Sequence, residues 1–292
     1  MDGEYQRLMT RPIVQIIANP DAGSSSRRRL RALQHAFAAA GARVLLSESR
    51  AVEVLIDADT NHVCVVGGDG TLRHVAAAVR RSGRAVTLSV YPMGTVNLIA
   101  RERGYPRDPA AFVARVLGGG ELRDHHVGLI GEIILSGVAS VGPDSFAVAG
   151  LSPPLKRLLG RVAYVVSFVA VLTHWPRTRL RLSTPAATIA CEAVYIAKGR
   201  YFAGPWSFAP QASVEQRLLH VVALRRATRL DFARFVWSLW RGHDLSGDPN
   251  LTLFSCDRLT IDGDAAPLQA DGDIVAQLPA TIVLGTETFS FA

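Results

Sequence analysis

One stretch gathers the residue types that handle phosphate: Gly67-Gly68-Asp69-Gly70-Thr71, placed directly after the apolar run Val63-Cys64-Val65-Val66. Glycines let a backbone turn tightly and come close to a ligand. Where such a loop opens a helix, unpaired N–H groups and the positive end of the dipole converge on an anion. Leu72 to Arg80 has the composition and spacing of that helix. No Gly-Lys-Ser/Thr follows, so the loop is not a P-loop, and Arg73 stands where a dinucleotide fingerprint has its third glycine. Asp69 is the odd member. A carboxylate beside phosphates is repulsive unless a divalent cation lies between them or the group moves protons. Asp69 and Thr71 are also both good helix N-caps, and the loop alone leaves these readings open.

The elements that must position this loop read as alternating strands and helices. Ile13 to Ala18 is a buried strand closed by Asn19-Pro20-Asp21-Ala22-Gly23. Ser24 to Ser26 can cap an arginine-rich helix that runs to about Ala40 and stops at Gly41. In its first turn Arg27 to Arg29 oppose the dipole, a conflict that a bound anion or plain solvation would relieve. Arg43 to Leu46 is a second strand ending at Ser47, and His62 to Val66 is a third. Ala85 to Val90 makes a fourth, closed by Tyr91-Pro92-Met93-Gly94-Thr95-Val96-Asn97, with a helix from Leu98 to Arg103. This alternation predicts an open, doubly wound α/β sheet, whose ligands bind beyond the carboxyl ends of its strands. Asn19, Ser47, the Gly67 loop and the Gly94 loop all fall at such ends.

Three ordered motifs now carry a resemblance. Asn19-Pro20-x-Ala22-Gly23, Gly67-Gly68-Asp69-Gly70-Thr71 and Pro92-x-Gly94-Thr95-x-Asn97-x-x-Ala100-Arg101 resemble those of the diacylglycerol kinase catalytic family. The resemblance implies an ATP-dependent lipid kinase with a nucleotide-binding domain over residues 1–124. Residues 125–292 would form a β-rich, sandwich-like lipid-substrate domain, with the last strand a candidate to return to the first domain. It implies a nucleotide site of Asn19, Ser47, Gly67, Gly68, Asp69, Gly70, Thr71, Gly94, Thr95 and Asn97, with Thr71, Thr95 and the loop amides on the phosphates. ATP and a nucleotide-borne Mg²⁺ would be the cofactors, with Asp69 acting through the ion and ordered water. The acceptor would be the hydroxyl of a membrane lipid, diacylglycerol-like or sphingoid-like.

The second domain contributes its own acid. Leu268-Gln269-Ala270-Asp271-Gly272-Asp273-Ile274-Val275 reads as strand, turn, strand, and Asp-Gly is an ordinary hairpin turn. The family has Asp-Gly-Glu here, and its final acid is the proposed proton acceptor, so the resemblance assigns that role to Asp273. Aspartate is shorter by one methylene, and a misplacement of ~1 Å can cost on the order of a hundredfold.

Elsewhere the pattern fails. Ala209-Pro210-Gln211-Ala212 matches, but the family's structural Mg²⁺ loop, Asp-Gly-x-Leu with another acid soon after, reads Glu215-Gln216-Arg217-Leu218-Leu219-His220 here, so that both expected carboxylates are gone and an arginine arrives. Hard cations need several oxygen ligands, preferably charged. The expectation is that no metal binds there and that the Arg217 guanidinium bridges the loop carbonyls instead. His74 stands where the family has a glutamate able to complete a capping box with Thr71, and Leu98 where it has an aspartate. These departures keep a second reading alive, a homologue that binds nucleotide or lipid without turnover. NAD kinase is a third reading, since it shares Gly-Gly-Asp-Gly.

Composition is compatible with this picture. The chain has 292 residues and a net charge of +7, almost wholly from arginine, because lysine occurs only at Lys156 and Lys198. Such charge attracts nucleotide phosphates or acidic headgroups, and no zinc-finger, RNA-recognition or basic-helix signature argues for nucleic acid. Cys64, Cys191 and Cys256 are far apart in apolar contexts, as expected of buried thiols. Met1 to Arg11 has no apolar core and no stretch reaches a membrane span, so a cytoplasmic protein, at most peripheral to a membrane, is expected.

The apolar run Val162 to Leu172, broken by Ser167, reads as a core helix or a lipid-facing surface, with Lys156, Arg157 and Arg161 ahead of it. In Asp231 to Trp240, Phe232, Phe235, Val236, Leu239 and Trp240 form a core face opposite Arg234 and Arg241, and Trp237 lies between.

Overall fold

The computed structural model describes residues 11–19, 24–49, 53–151 and 161–292. The chain divides into two compact units, one of residues 1–125 with 289–292, the other of residues 126–288.

In the first unit, four strands lie parallel in the order β2-β1-β3-β4: β1 (Ile13–Ala18), β2 (Arg43–Glu48), β3 (His62–Gly67) and β4 (Thr87–Pro92). Val63 to Val66 and the core of β1 are apolar on both faces, as a sheet covered on both sides requires. Helix α1 (Ser24–Ala39) joins β1 to β2, and α2 (Asp69–Ser82) joins β3 to β4. Short α3 (Leu98–Glu102) and α4 (Pro109–Leu117) follow. Helix α4 was not legible in the apolar spacing, yet Asp108 caps it by accepting the Ala111 N–H at 2.8 Å, with Pro109 at its first turn. Phe112 packs edge-on to Phe37 of α1 and to Tyr91 of β4. The last residues of the chain, Ser290 and Phe291, add a parallel strand beside Thr87 and Leu88.

The second unit is antiparallel. Its strands are β5 (Arg123–Ile130, entering from the first unit), β6 (Ile133–Leu135), β7 (Val138–Val141), β8 (Leu180–Ser183), β9 (Thr188–Cys191), β10 (Ala193–Ala197) and β11 (Leu219–Leu224). They continue with β12 (Leu251–Cys256), β13 (Arg258–Gly263), β14 (Pro267–Ala270), β15 (Asp273–Gln277) and β16 (Ala280–Phe291). One sheet runs β12-β11-β10-β7-β14-β15, and β16, β13, β8 and β9 pair in a second set joined by β5 and β6. Their inner faces share one apolar core, with Val194, Val221 and Leu268 from the first sheet and Leu182, Leu259 and Ile282 from the second. The α/β unit followed by a β-rich unit is therefore the architecture present.

Among the described residues, three helices decorate this unit: α5 (Pro143–Ala149), α6 (Arg161–Thr173) and α7 (Arg229–Arg241). Ser167, the polar break in the run of α6, donates its buried hydroxyl to the Ala147 carbonyl. Thr228 and Asp231 form a capping box at the start of α7. The expected core face of α7 needs one correction: Phe232, Phe235 and Leu239 are buried, but Trp240 is 54% exposed and stands outward with Trp237. Among the described residues no helix is long and apolar enough to cross a membrane.

Candidate functional site

The carboxyl ends of the parallel strands share one edge by register, Ala18 lying opposite Glu48 and Val66, and Gly67 opposite Pro92. Asn19 follows β1 and donates its N–H to the Val66 carbonyl at 3.1 Å. Pro20 to Gly23, the remainder of that turn, lie outside the described residues. Ser47 is inside β2, where its hydroxyl accepts from Gln15 Nε2 at 2.9 Å.

The two glycine loops interlock. Gly67 O accepts the N–H groups of Met93 at 3.2 Å and Gly94 at 3.1 Å. A methyl on Gly94 would sit 2.3 Å from the Gly68 Cα, and one on Gly67 would sit 2.5 Å from Thr71 Oγ1. Gly94 is thus required by close approach to the Gly68 backbone and Gly67 by the Thr71 side chain packed over it, neither by a left-handed conformation. Asn97 does adopt the left-handed region, with φ 57°, and its side-chain amide closes the second loop on itself. Its Oδ1 accepts from Gly94 N at 2.8 Å and its Nδ2 donates to Gly94 O at 2.7 Å.

Helix α2 begins at Asp69, two residues before Thr71, so neither Asp69 nor Thr71 is its N-cap. Gly68 occupies the cap and brings no side chain, which leaves the mouth of the helix to backbone groups. Asp69 caps a different helix. Its two oxygens accept the N–H groups of Leu98 at 2.9 Å and Ile99 at 3.0 Å, the first turn of α3. Burial pushes its carboxyl above the usual range, and the bonds from Ile99 and Leu98 pull it back. Asp69 is therefore the pin that holds the Gly67 loop against the Gly94 loop. Gly70 and Thr71 are half-buried at the helix mouth, and Thr95 is exposed at the tip of the second loop.

In the second unit, β14 and β15 form a hairpin whose turn residues Asp271 and Gly272 have φ of 51° and 86°, the conformation for which Asp-Gly is suited. Asp271 does more than turn the chain. Its carboxylate accepts from the backbone N–H of Ser136 (2.8 Å), Gly137 (2.8 Å) and Val138 (3.1 Å). That latch fixes the hairpin and presents Asp273, half-buried at the head of β15 opposite Ala270. Beside it Gln269 Nε2 donates to Ser140 Oγ at 2.9 Å, and Ser140 donates to Asp144 at 2.5 Å. Desolvation pushes the Asp144 carboxyl up, with the Ser140 bond opposing. A buried acid of this kind, found only when the chain folds, is a mark of functional clefts as well as of structural networks.

The loop that was expected to exchange a metal for Arg217 is held by a different cation. Lys198 is fully buried, and its ammonium donates to the carbonyls of Ser213 (3.1 Å), Val214 (3.1 Å) and Gln216 (2.6 Å). Arg217 reaches only the Gly285 carbonyl at 3.4 Å. An ammonium of three donors fits a cage of three carbonyls, whereas a guanidinium on an exposed strand approach does not enter it. His220 meets Gln216 at 3.5 Å and Ser255 at 3.1 Å, and burial followed by the Lys198 charge lowers its pKa. The signal in the sequence was that Lys198 is one of only two lysines in a chain rich in arginine. Among the described residues no group of three or more His, Cys, Asp or Glu could hold a metal ion.

Comparison with known proteins joins these observations. Residues 14–130 match the model of the diacylglycerol kinase catalytic domain. Residues 137–289 match the YegS C-terminal domain, described as a β-sandwich like that of NAD kinase. The chain belongs to the family that combines these two domains. A protein of Pseudomonas aeruginosa strain UCBPP-PA14 described as "Probable lipid kinase YegS-like" is 33% identical over 177 residues, which is 60% of this chain and 58% of that one. The match thus spans little more than half the length of that relative. The diacylglycerol kinase of Bacillus subtilis strain 168 is 23% identical over 76% of this chain and 74% of its own. In fold, a crystal structure of a diacylglycerol kinase from Bacillus anthracis superposes with a TM-score of 0.70 over 96% of each chain at 15% identity.

Proposed function

We propose that the protein is an ATP-dependent lipid kinase that transfers the γ-phosphoryl group to a hydroxyl of a membrane lipid, diacylglycerol-like or sphingoid-like. The observation that carries this reading is the pair of glycine loops pinned by Asp69 at the carboxyl edge of a parallel sheet. Backbone amides of Gly68 to Thr71 at the mouth of α2, with the hydroxyls of Thr71 and Thr95, are suited to hold phosphate oxygens. No side chain on Gly67, Gly68, Gly70 or Gly94 obstructs that approach. When bound, ATP would supply the phosphoryl group, and the Mg²⁺ it carries would neutralise the charge on it. The residues fit such a nucleotide-borne ion, whose ligands are mostly phosphate oxygens and water. Asp273 is the proposed acceptor of the lipid hydroxyl proton, fixed in place by the Asp271 latch. Asp69 contributes by holding the two loops in register, and would act toward the ion through ordered water.

The test is ATP consumption with a mixed lipid extract, comparing wild type with Asp69→Ala and Asp273→Asn. Phosphorylated lipid from wild type alone supports the proposal, and equal rates for all three remove it. A second reading, transfer to NAD, is favoured by the shared Gly-Gly-Asp-Gly loop and by the likeness of the C-terminal domain to that of NAD kinase. NAD replaces lipid in a parallel arm, and NADP formed without lipid decides for it. ATP binding without turnover in either arm points to a non-catalytic binder.

A further inference from the structure

Helix α7 is apolar on two sides. Phe232, Phe235 and Leu239 face the core, so Trp237 and Trp240, 56% and 54% exposed, are not needed there. Of the nine large hydrophobic side chains exposed among the described residues, five belong to this helix and the end of α6: Leu230, Trp237 and Trp240 with Val169 and Leu172. Such clustering separates them from the scattered apolar exposure that any surface carries. Leu172, Trp237 and Trp240 also line an open hollow of about 400 Å³ between the two helices, floored by Phe168, Trp175 and Phe232. Arg229 ties the helices by donating to the Leu172 carbonyl at 2.9 Å.

The charges are arranged around that apolar strip. Projected at about 100° per residue, Trp240, Ala233, Trp237 and Leu230 follow one another across an arc of about 80°. Arg229 borders the arc on one side, Arg241 and Arg234 on the other, and all seven are exposed. The Arg241 guanidinium lies 6.0 Å from each tryptophan ring centre. With Arg225 and Arg226 just upstream, the segment has five arginines against one acid, Asp231, which is buried in the capping box. A tryptophan strip rimmed by arginine matches the layered chemistry of a bilayer, acyl chains beneath anionic headgroups. A second copy of the chain would instead bring like-charged rims together across a twofold axis.

We infer that the outward face of α7, with the end of α6, docks on an anionic membrane surface, the tryptophans entering the headgroup–acyl boundary while the arginines pair with lipid phosphates. The inference deepens the lipid-kinase reading, whose acceptor lies in such a surface, but its test involves no nucleotide, so either can fail alone. Wild-type protein is sedimented with phosphatidylcholine vesicles and with equimolar phosphatidylcholine–phosphatidylglycerol vesicles, alongside W237S/W240S and R229Q/R234Q/R241Q. All substitutions are at exposed positions, and far-UV circular dichroism confirms folding. The wild type is expected to bind the phosphatidylglycerol vesicles with a blue shift of tryptophan emission. The double variant should bind them at least about tenfold more weakly without that shift. The triple variant should bind about a hundredfold more weakly at low salt, about fivefold per arginine. The proposal is overturned if wild type is not retained by phosphatidylglycerol vesicles, or if the double variant is retained equally. It is equally overturned if wild type is a dimer that W237S/W240S dissociates, which would assign the face to a second copy.

Discussion

Replacing Asp69 with alanine separates the two roles a carboxylate in a phosphate loop can play. In the structure it accepts two amide protons, from Leu98 at 2.9 Å and Ile99 at 3.0 Å. Bonds to a charged acceptor contribute about 1.5–3 kcal/mol each, so the pair supplies about 3–6 kcal/mol in gross terms. Against this stands the cost of burying the carboxylate, visible in its raised pKa, which the substitution returns. A net loss of about 2–4 kcal/mol for local opening of α3 is expected, equivalent to about thirty- to a thousandfold faster exchange of the Leu98 and Ile99 amide protons. Native-state hydrogen exchange without nucleotide reads this directly, with the Val65 amide of β3 as an internal reference. Asp69→Asn, which keeps one good acceptor, should fall between. If both amides in Asp69→Ala exchange within about threefold of wild type while ATP consumption is abolished, the pin does not exist and Asp69 serves the reaction alone.

Lys198→Met should destabilise the second unit by about 2–4 kcal/mol, since three carbonyls lose their donor in a buried site, whereas Arg217→Gln should stay within about 0.5 kcal/mol. Urea unfolding followed by tryptophan emission measures this, all four tryptophans being in that unit, and equal effects would return the role to Arg217. Gly94→Ala places a methyl 2.3 Å from the Gly68 Cα and should cost about 2 kcal/mol or more along with nucleotide protection. Gly120→Ala, with nothing within 4 Å of the added atom, is the matched neutral control. His62, buried and bonded to Ser89, has its pKa lowered by desolvation from 6.5 to about 4. Between these values the unfolded chain binds a proton that the folded one refuses, so stability is full above 6.5 and falls toward 4, by up to about 3 kcal/mol. His62→Gln should flatten that part of the stability–pH curve, and an unchanged slope would refute the assignment.

The sequence by itself determined the α/β unit, the β-rich unit after it and the glycine loops at the strand ends. Each rests on short-range physics: β-branched runs before glycine, helical spacing after it, Asp-Gly where a two-residue turn needs positive φ. Family motifs in order then narrowed the chemistry. What only the tertiary structure decided were partnerships between residues far apart in the chain. Asp69 read either as a cap for its own helix or as an acid acting through a metal ion, and it caps α3 about thirty residues on, because two loops meet only when β3 and β4 pair. Asp271 looked like a turn residue and proved to latch Ser136 to Val138. Lys198 carried no local pattern at all, since a cage of carbonyls from residues 213–216 exists only after folding. Trp240 was misplaced for a related reason: periodicity gives a helix its faces, but the packing partners decide which of two apolar faces the core accepts.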